Sequence, residues 1–214
     1  MERPRLPISV EGWPFILAPA LLAEILALGG LVGWGLLAFA LACFVAYFFR
    51  DPERVFSGDE GDLAAPADGE IVFVGQVEAA PISGRPALKV SIFMSLFDCH
   101  VNRSPADGRV KELKYYPGRF FNASWNKASV ENERLVMAIE TPNGEEVEVA
   151  QIAGMIARRI VCRAREGDEL VAGQRYGLIR FGSRLDLYLP PASRVVVVPG
   201  QRVKAGQTLL GELG

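Results

Sequence analysis

Gly182-Ser183 is the residue pair with the most consequential chemistry available to this sequence of 214 residues. A serine Oγ can attack the carbonyl carbon of the preceding residue, and the backbone strain that this attack needs is easier at glycine, which has no Cβ. An ester forms, elimination across the serine breaks it, and hydrolysis leaves a pyruvoyl group at a new amino terminus. Gly-Ser pairs are common in ordinary turns, however, and by itself the pair predicts only a turn.

Two other residues have side chains suited to proton transfer. His100 is the single histidine of the sequence, and an imidazole both gives and takes a proton near neutral pH; a hydrogen-bonded structural histidine is the alternative. Asp68 precedes Gly69, a setting that is also typical of a turn aspartate. One histidine and three scattered cysteines without a Cys-x-x-Cys pair argue against a metal centre and a disulfide framework.

The residues after Phe56 form short Val, Ile and Leu runs separated by Gly and Pro, which predicts strands. Asn143-Gly144 predicts a hairpin turn between two of them. We expect a mainly β body, a compact antiparallel β-barrel or sandwich with hairpin elements of the lipoyl type. The predicted strands are 70–74 (EIVFV), 88–93 (LKVSIF), 135–139 (LVMAI), 146–152 (EVEVAQI) and 194–198 (RVVVV).

Two pairs of segments repeat within this body. Residues 65–69 (APADG) resemble 104–108 (SPADG), and residues 167–174 (GDELVAGQ) resemble 200–207 (GQRVKAGQ). In each pair the glycines suit tight turns, because glycine reaches positive φ without steric cost.

Residues 13–49 are almost wholly apolar, with Glu24 as the one charged residue. A spanning helix needs about 20 apolar residues, so the run predicts a membrane arm of two short helices broken at Gly29-Gly30. Basic residues on both flanks place both ends on the cytoplasmic side. A cleaved signal peptide is the alternative, but the run is long and no small-residue cleavage site follows it. We expect a membrane-anchoring segment, 1–50, and a catalytic β domain, 51–214.

Acidic and basic residues are almost equal in number and are mixed along the chain. The formal net charge is -2, from 23 basic and 25 acidic residues. Without a broad basic surface, no nucleic-acid partner is predicted.

Several motifs in a fixed order give a resemblance to a known family. The chain resembles the short bacterial form of phosphatidylserine decarboxylase from about Asp51 to its carboxyl terminus. The motifs are 65–69 (APADG), 97–103 (FDCHVNR), 126–129 (NKAS), 131–134 (ENER), 151–154 (QIAG), 157–160 (ARRI) and 180–184 (RFGSR).

The resemblance implies a proenzyme that cuts itself between Gly182 and Ser183. Residues 1–182 form the larger chain and residues 183–214 the smaller, and the two stay associated. The resemblance does not decide whether this heterodimer forms higher oligomers. Ser183 becomes a covalent pyruvoyl cofactor that forms a Schiff base with phosphatidylserine in the membrane, and phosphatidylethanolamine and CO2 are released. The implied location is the cytoplasmic face of the bacterial inner membrane.

The resemblance also implies roles for the two polar residues. His100 is the proton donor for the product carbon, and Asp68 orients a base during self-cleavage. Longer family members have a second histidine where this chain has Arg103. Two candidates are therefore left for the base in self-cleavage, His100 and a water held by Asp68.

Other basic and aromatic residues are candidates for binding the lipid, but the sequence supports these roles less strongly. Lipid phosphate suits a guanidinium fork, although most such charges are merely solvated. An aromatic stretch, 115–121 with Trp125, suits either a membrane interface or ordinary core packing. The candidate phosphate ligands are Arg103, Arg119, Lys127, Arg158 and Arg159.

Two other functions compete with a decarboxylase. A membrane-tethered carrier of the lipoyl type would present a modified lysine at a hairpin tip, but Lys204 lacks the usual flanking methionine or aspartate. A serine hydrolase built on Ser183 would need a Gly-x-Ser-x-Gly setting, which is absent at this serine.

Overall fold

The computed structural model describes residues 7–121, 128–154, 159–180 and 183–214. The chain divides into two compact units, Met1–Glu53 and Arg54–Gly214. The expected boundary after residue 50 lies close to this division.

The amino-terminal unit consists of a short 3-10 helix, Val10–Gly12, and two α-helices, α1 (Trp13–Leu28) and α2 (Val32–Phe48). The break expected at Gly29-Gly30 is confirmed, and Gly30 turns the chain with a φ of 79°. Val10–Leu28 is long and apolar enough to cross a membrane, whereas α2 is shorter. Large apolar side chains of both helices point outward, as a lipid environment would favour.

The second unit is mainly β, as predicted. Its strands are β1 (Asp62–Ala64), β2 (Gly69–Val77), β3 (Ala87–Met94), β4 (Val101–Arg103), β5 (Gly108–Tyr116), β6 (Arg134–Glu140), β7 (Glu146–Ala153), β8 (Ile160–Cys162), β9 (Glu169–Leu170), β10 (Arg175–Ile179), β11 (Ser183–Leu189), β12 (Arg194–Val195), β13 (Arg202–Val203) and β14 (Leu209–Glu212), with a short helix, α3 (Ala128–Glu131). The strand expected over 194–198 is shorter than predicted, because pairing with β14 covers Arg194 and Val195 alone.

One curled antiparallel sheet forms most of this unit as a half-barrel. Its strand order is β13-β2-β3-β11-β7-β6-β5-β9, and two three-stranded sheets, β4-β10-β8 and β1-β14-β12, accompany it. The apolar side chains on one face of the large sheet form a continuous buried cluster that includes Ile92, Met94, Val149 and Leu185.

The repeated segments occupy equivalent places in the large sheet. The Gly206 N–H donates to the Ala65 carbonyl at 2.8 Å, and the Gly173 N–H donates to the Ser104 carbonyl at 2.8 Å. A Cβ on Gly206 would lie 3.3 Å from the Gly173 Cα, closer than an ordinary contact, so the two turns meet where a side chain on Gly206 would crowd its neighbour. The echoes seen in the sequence therefore mark a structural repeat.

The two repeats also exchange hydrogen bonds. The Ala64 N–H donates to the Pro105 carbonyl at 2.8 Å, and the Arg103 N–H donates to the Pro66 carbonyl at 2.9 Å. Strands β2 and β5 even have a register irregularity at the same place in the repeat. The hydrogen-bond pattern thus has approximate twofold symmetry, with β11 and β7 as the two central strands.

Candidate active site

Ser183 is the first residue of β11 and is fully buried. It pairs with Met94 at the end of β3 and with Ala153 at the end of β7. Because side chains alternate along a strand, Ser183 shares the face of Leu185 that lines the main core. Gly182 lies outside the described residues, so the predicted cleavage pair is described on its serine side.

The Ser183 hydroxyl lies in a buried cluster of four side chains. Its Oγ donates to the Met94 Sδ at 3.8 Å, and the Asn102 Nδ2 donates to the same sulfur at 3.7 Å. The Gln151 Nε2 donates to the Asn102 Oδ1 at 2.8 Å. We call Ser183, Met94, Asn102 and Gln151 the sulfur cluster; all four are at most 1% exposed.

His100 is buried just before β4, two residues from Asn102. Its Nδ1 is 3.0 Å from the Asp98 carbonyl oxygen. A carbonyl oxygen only accepts, so Nδ1 carries the hydrogen in this contact, and proton transfer by the ring would take place at Nε2. This arrangement suits a group that takes up and returns a proton at Nε2.

Asp98 fixes the turn that precedes His100. Its carboxylate accepts from the Ser95 N–H at 2.8 Å and the Ser95 hydroxyl at 2.7 Å, and it pairs with Arg202. Asp98 was not among the predicted site residues, although it lies in the 97–103 motif. Because its backbone carbonyl orients the His100 ring, the Asp98 turn belongs to the site.

Asp68 lies at the Gly69 turn, paired with Arg54, whose Nη2 donates to the Asp68 Oδ2 at 2.9 Å. Its Oδ1 also accepts from the Ala205 N–H at 2.8 Å. Asp107, its equivalent in the second repeat, accepts from the Ala172 N–H at 2.7 Å. Both aspartates therefore stabilise a turn, and the orienting role expected of Asp68 stays a prediction.

The other face of β11 carries a buried ion network. The Arg184 Nε donates to the Asp186 Oδ1 at 2.6 Å, and the Lys89 Nζ lies 2.9 Å from the Asp186 Oδ2. Arg184 also donates to the Ser91 hydroxyl at 2.8 Å. Burial opposes ionisation of Asp186, but the two cations outweigh it and hold the pKa of this carboxyl below its ordinary value.

Asn132 connects the segment before α3 to the Ser183 end of the sheet. Its Nδ2 donates to the Ala153 carbonyl at 2.8 Å and to the Phe121 carbonyl at 2.9 Å. Ala153 is the residue opposite Ser183 in β7. Asn132 therefore holds part of the predicted aromatic stretch near the site, a role that its place in the 131–134 motif did not reveal.

The candidate phosphate ligands lie in different settings. Arg103 is buried and donates from Nη1 to the Gly173 carbonyl at 2.9 Å, Arg119 lies against the Phe121 ring, and Arg159 is exposed. Lys127 and Arg158 lie outside the described residues. Within the part of the chain that the structure describes, no group of three or more His, Cys, Asp or Glu side chains could hold a metal ion.

Comparison with known proteins gives the class and the family. Full-length relatives described as phosphatidylserine decarboxylase proenzymes include those of Nitrosomonas europaea (51% identical, covering 96% of this chain and 94% of the relative), Geobacter sp. strain M21 (50%, covering 97% of each) and Pelobacter propionicus (48%, covering all of each). This chain is therefore a decarboxylase, that is, a carboxy-lyase. The family model for phosphatidylserine decarboxylase matches residues 41–211, and the chain belongs to that family.

Proposed function

We propose that the chain cuts itself between Gly182 and Ser183, converts Ser183 to a pyruvoyl group, and decarboxylates phosphatidylserine to phosphatidylethanolamine and CO2. Family membership supports the reaction class. The observation that carries the rest is the position of Ser183. This serine directly follows a glycine and begins a buried strand that is paired on both sides with residues earlier in the chain.

Self-cleavage needs the Ser183 hydroxyl, a base and water. The Oγ attacks the Gly182 carbonyl carbon, the C–N bond breaks, and the hydroxyl proton passes to the Ser183 nitrogen, which gives an ester. Loss of the Cα proton then breaks the Cβ–Oγ bond and releases Gly182 as a carboxylate. Water converts the remaining dehydroalanine to a pyruvoyl group and ammonia.

Strand pairing keeps the two products together. β11 lies between β3 and β7, which both belong to residues 1–182. β13 pairs with β2, and β14 pairs with β1. Every one of these contacts joins residues 183–214 to the larger piece, so the cut chains form a heterodimer.

The surroundings of Ser183 fit a pyruvoyl group. The new chain end would be enclosed by β3 and β7 with no exposure to solvent at the Ser183 position. The group supplies an electrophilic carbonyl that binds an amine and withdraws electrons, a role that other decarboxylases give to a bound cofactor. We assign to His100 the proton that the product carbon needs, because its ring is oriented by the Asp98 carbonyl.

The lipid substrate agrees with the apolar amino-terminal unit. Near the end of α2, the Arg50 guanidinium lies 4.0 Å from the centre of the Tyr47 ring, a pairing favoured at a membrane interface. Basic residues flank the helices on both sides. We place the enzyme at the inner membrane with its catalytic unit on the cytoplasmic face.

Intact mass spectrometry and a denaturing gel test the self-cleavage. The wild-type protein should give two chains, 1–182 and 183–214, and the smaller should resist Edman sequencing because its first residue is a ketone. Ser183→Ala should remain one chain without decarboxylase activity. A wild-type protein that is one unbroken chain yet releases CO2 from phosphatidylserine would overturn the proposal.

His100→Ala separates the two proposed steps. Turnover per cut chain should fall to background, because the variant lacks the imidazole that gives the product carbon its proton. The fraction of cut chain, read on the same gel, shows whether His100 also serves as the base for self-cleavage. Full turnover in this variant would remove His100 from the site.

A further inference from the structure

We propose that Asn102 and Gln151 are positioning residues for self-cleavage, acting through the sulfur of Met94. This inference rests on the proposed function and goes beyond it by naming what holds the Ser183 hydroxyl before attack. The sulfur receives two donors, the Ser183 Oγ at 3.8 Å and the Asn102 Nδ2 at 3.7 Å. Asn102 and Gln151 take no part in the steps of self-cleavage set out above, yet both are buried beside Ser183, which requires an explanation.

A thioether suits the task because it is a weak acceptor. A carboxylate or carbonyl would hold the Ser183 hydroxyl strongly and would oppose its movement toward the Gly182 carbonyl. The Met94 sulfur fixes the direction of the hydroxyl at little energetic cost. In a fully buried site the hydroxyl would otherwise turn toward a backbone acceptor.

Gln151 and Asn102 fix the sulfur in turn. The Gln151 Nε2 donates to the Asn102 Oδ1 at 2.8 Å, which orients the amide so that its Nδ2 faces Met94. Methionine is flexible, with three rotatable side-chain bonds, and needs such a contact to keep one position. Gly177 leaves room for this arrangement, because a Cβ there would lie 3.1 Å from the Gln151 Nε2.

The positioning role ends when the ester is broken. The Ser183 Oγ leaves with the Gly182 carboxylate, so the mature enzyme no longer contains the atom that the sulfur holds. The sulfur cluster should therefore affect the rate of cutting and have little effect on turnover afterwards. General structural damage would reduce both.

Cell-free synthesis of the full-length chain, followed over time on a denaturing gel, tests this role. Met94→Leu conserves volume and removes the acceptor, and it should slow cutting about tenfold or more. Asn102→Leu should also slow cutting. The double variant should cut no more slowly than the slower single variant, because both changes break one pathway. Met137→Leu, the same substitution at another buried position of the core, is the matched control and should cut at the wild-type rate.

Turnover per cut chain completes the test, with cut chain counted by intact mass. It should stay within about threefold of wild type in both single variants, since the hydroxyl is gone after cutting. Wild-type cutting by Met94→Leu, additive rate effects in the double variant, or an equal loss of cutting and turnover would each overturn the inference. A wild-type chain that is never cut would instead overturn the proposed function.

Discussion

The large sheet has two halves, β13-β2-β3-β11 and β9-β5-β6-β7, whose strands pair in the same order. They differ in how the chain connects two equivalent positions. In the second half, β6 and β7 are joined by a hairpin, in which the Thr141 N–H donates to the Glu145 carbonyl at 2.9 Å. The strand registers make Met94 the counterpart of Thr141 and Ser183 the counterpart of Glu145. In the first half those two residues are not neighbours in the chain, because the second repeat lies between them.

The residue before each counterpart is a glycine in the sequence, Gly144 in the hairpin and Gly182 at the proposed cut. In the hairpin, Gly144 serves a turn with a φ of 81°. One position of the repeat thus reverses the chain at Gly144 in the second half and directly precedes the proposed pyruvoyl residue in the first half.

The halves differ also on the opposite face of their central strands. Asp186 in β11 is held by Arg184 and Lys89, whereas its counterpart Glu148 in β7 accepts the backbone N–H groups of Ile82 and Ser83, both at 2.8 Å. Both acids are buried. The first half therefore relies on buried ion pairs and the second on loop hydrogen bonds.

The largest expected effect is the loss of the buried ion pairs. Asp186→Asn leaves two buried cations without their anion and should lower the free energy of unfolding by about 3–5 kcal/mol. Glu148→Gln keeps an acceptor for the loop and should cost about 1–3 kcal/mol. Urea unfolding in the uncut Ser183→Ala background measures both, and equal losses would show that the two halves do not differ in this way.

A smaller difference is expected between the two turn aspartates. Asp68→Ala removes the bond to the Ala205 N–H and leaves Arg54 without its carboxylate, and it should cost about 2–3 kcal/mol. Asp107→Ala removes the matching bond to Ala172 at an exposed position and should cost about 1 kcal/mol. Urea unfolding measures the costs, and the rate of cutting in an otherwise wild-type Asp68→Asn chain tests the orienting role separately. Cutting at the wild-type rate would show that Asp68 stabilises its turn but does not orient a base.

The smallest expected effect is a pH dependence of the Asp186 contribution. The folded-state pKa of Asp186 lies below the ordinary value of 3.8, so its stabilisation is complete above that value and is lost as the pH falls through the folded-state pKa. Unfolding free energies of Ser183→Ala with and without Asp186→Asn should differ by a constant amount above about pH 5, and this difference should become smaller below about pH 4. A difference that already narrows near neutral pH would contradict this origin.

Local pattern predicted much of the fold. Runs such as 88–93 and 146–152 lie within β3 and β7, and the repeated segments at 65–69 and 104–108 marked the equivalent turns. The Asn143-Gly144 hairpin is also where the sequence placed it. These features depend on residues that are close to one another in the sequence, so local sequence patterns predict them.

Features that depend on distant partners were not predictable. Strand β11 carries Arg184 and Asp186 on a fully buried face, and no local pattern shows that Lys89 will lie beside them. The sulfur cluster likewise unites residues from β3, β4, β7 and β11. Its members Asn102 and Gln151 lay in the motifs that carried the resemblance, but only the fold brings their side chains to Ser183.

The pairing of β11 with strands from one and the same piece has a consequence for control of the proposed activation. Cutting would change the connectivity of the chain and leave these strand pairings as they are, so the precursor would already be assembled like the finished enzyme. No refolding or subunit exchange would then set the pace of maturation. The delay between synthesis and activity would be fixed inside the protein, by the rate constant of one intramolecular reaction.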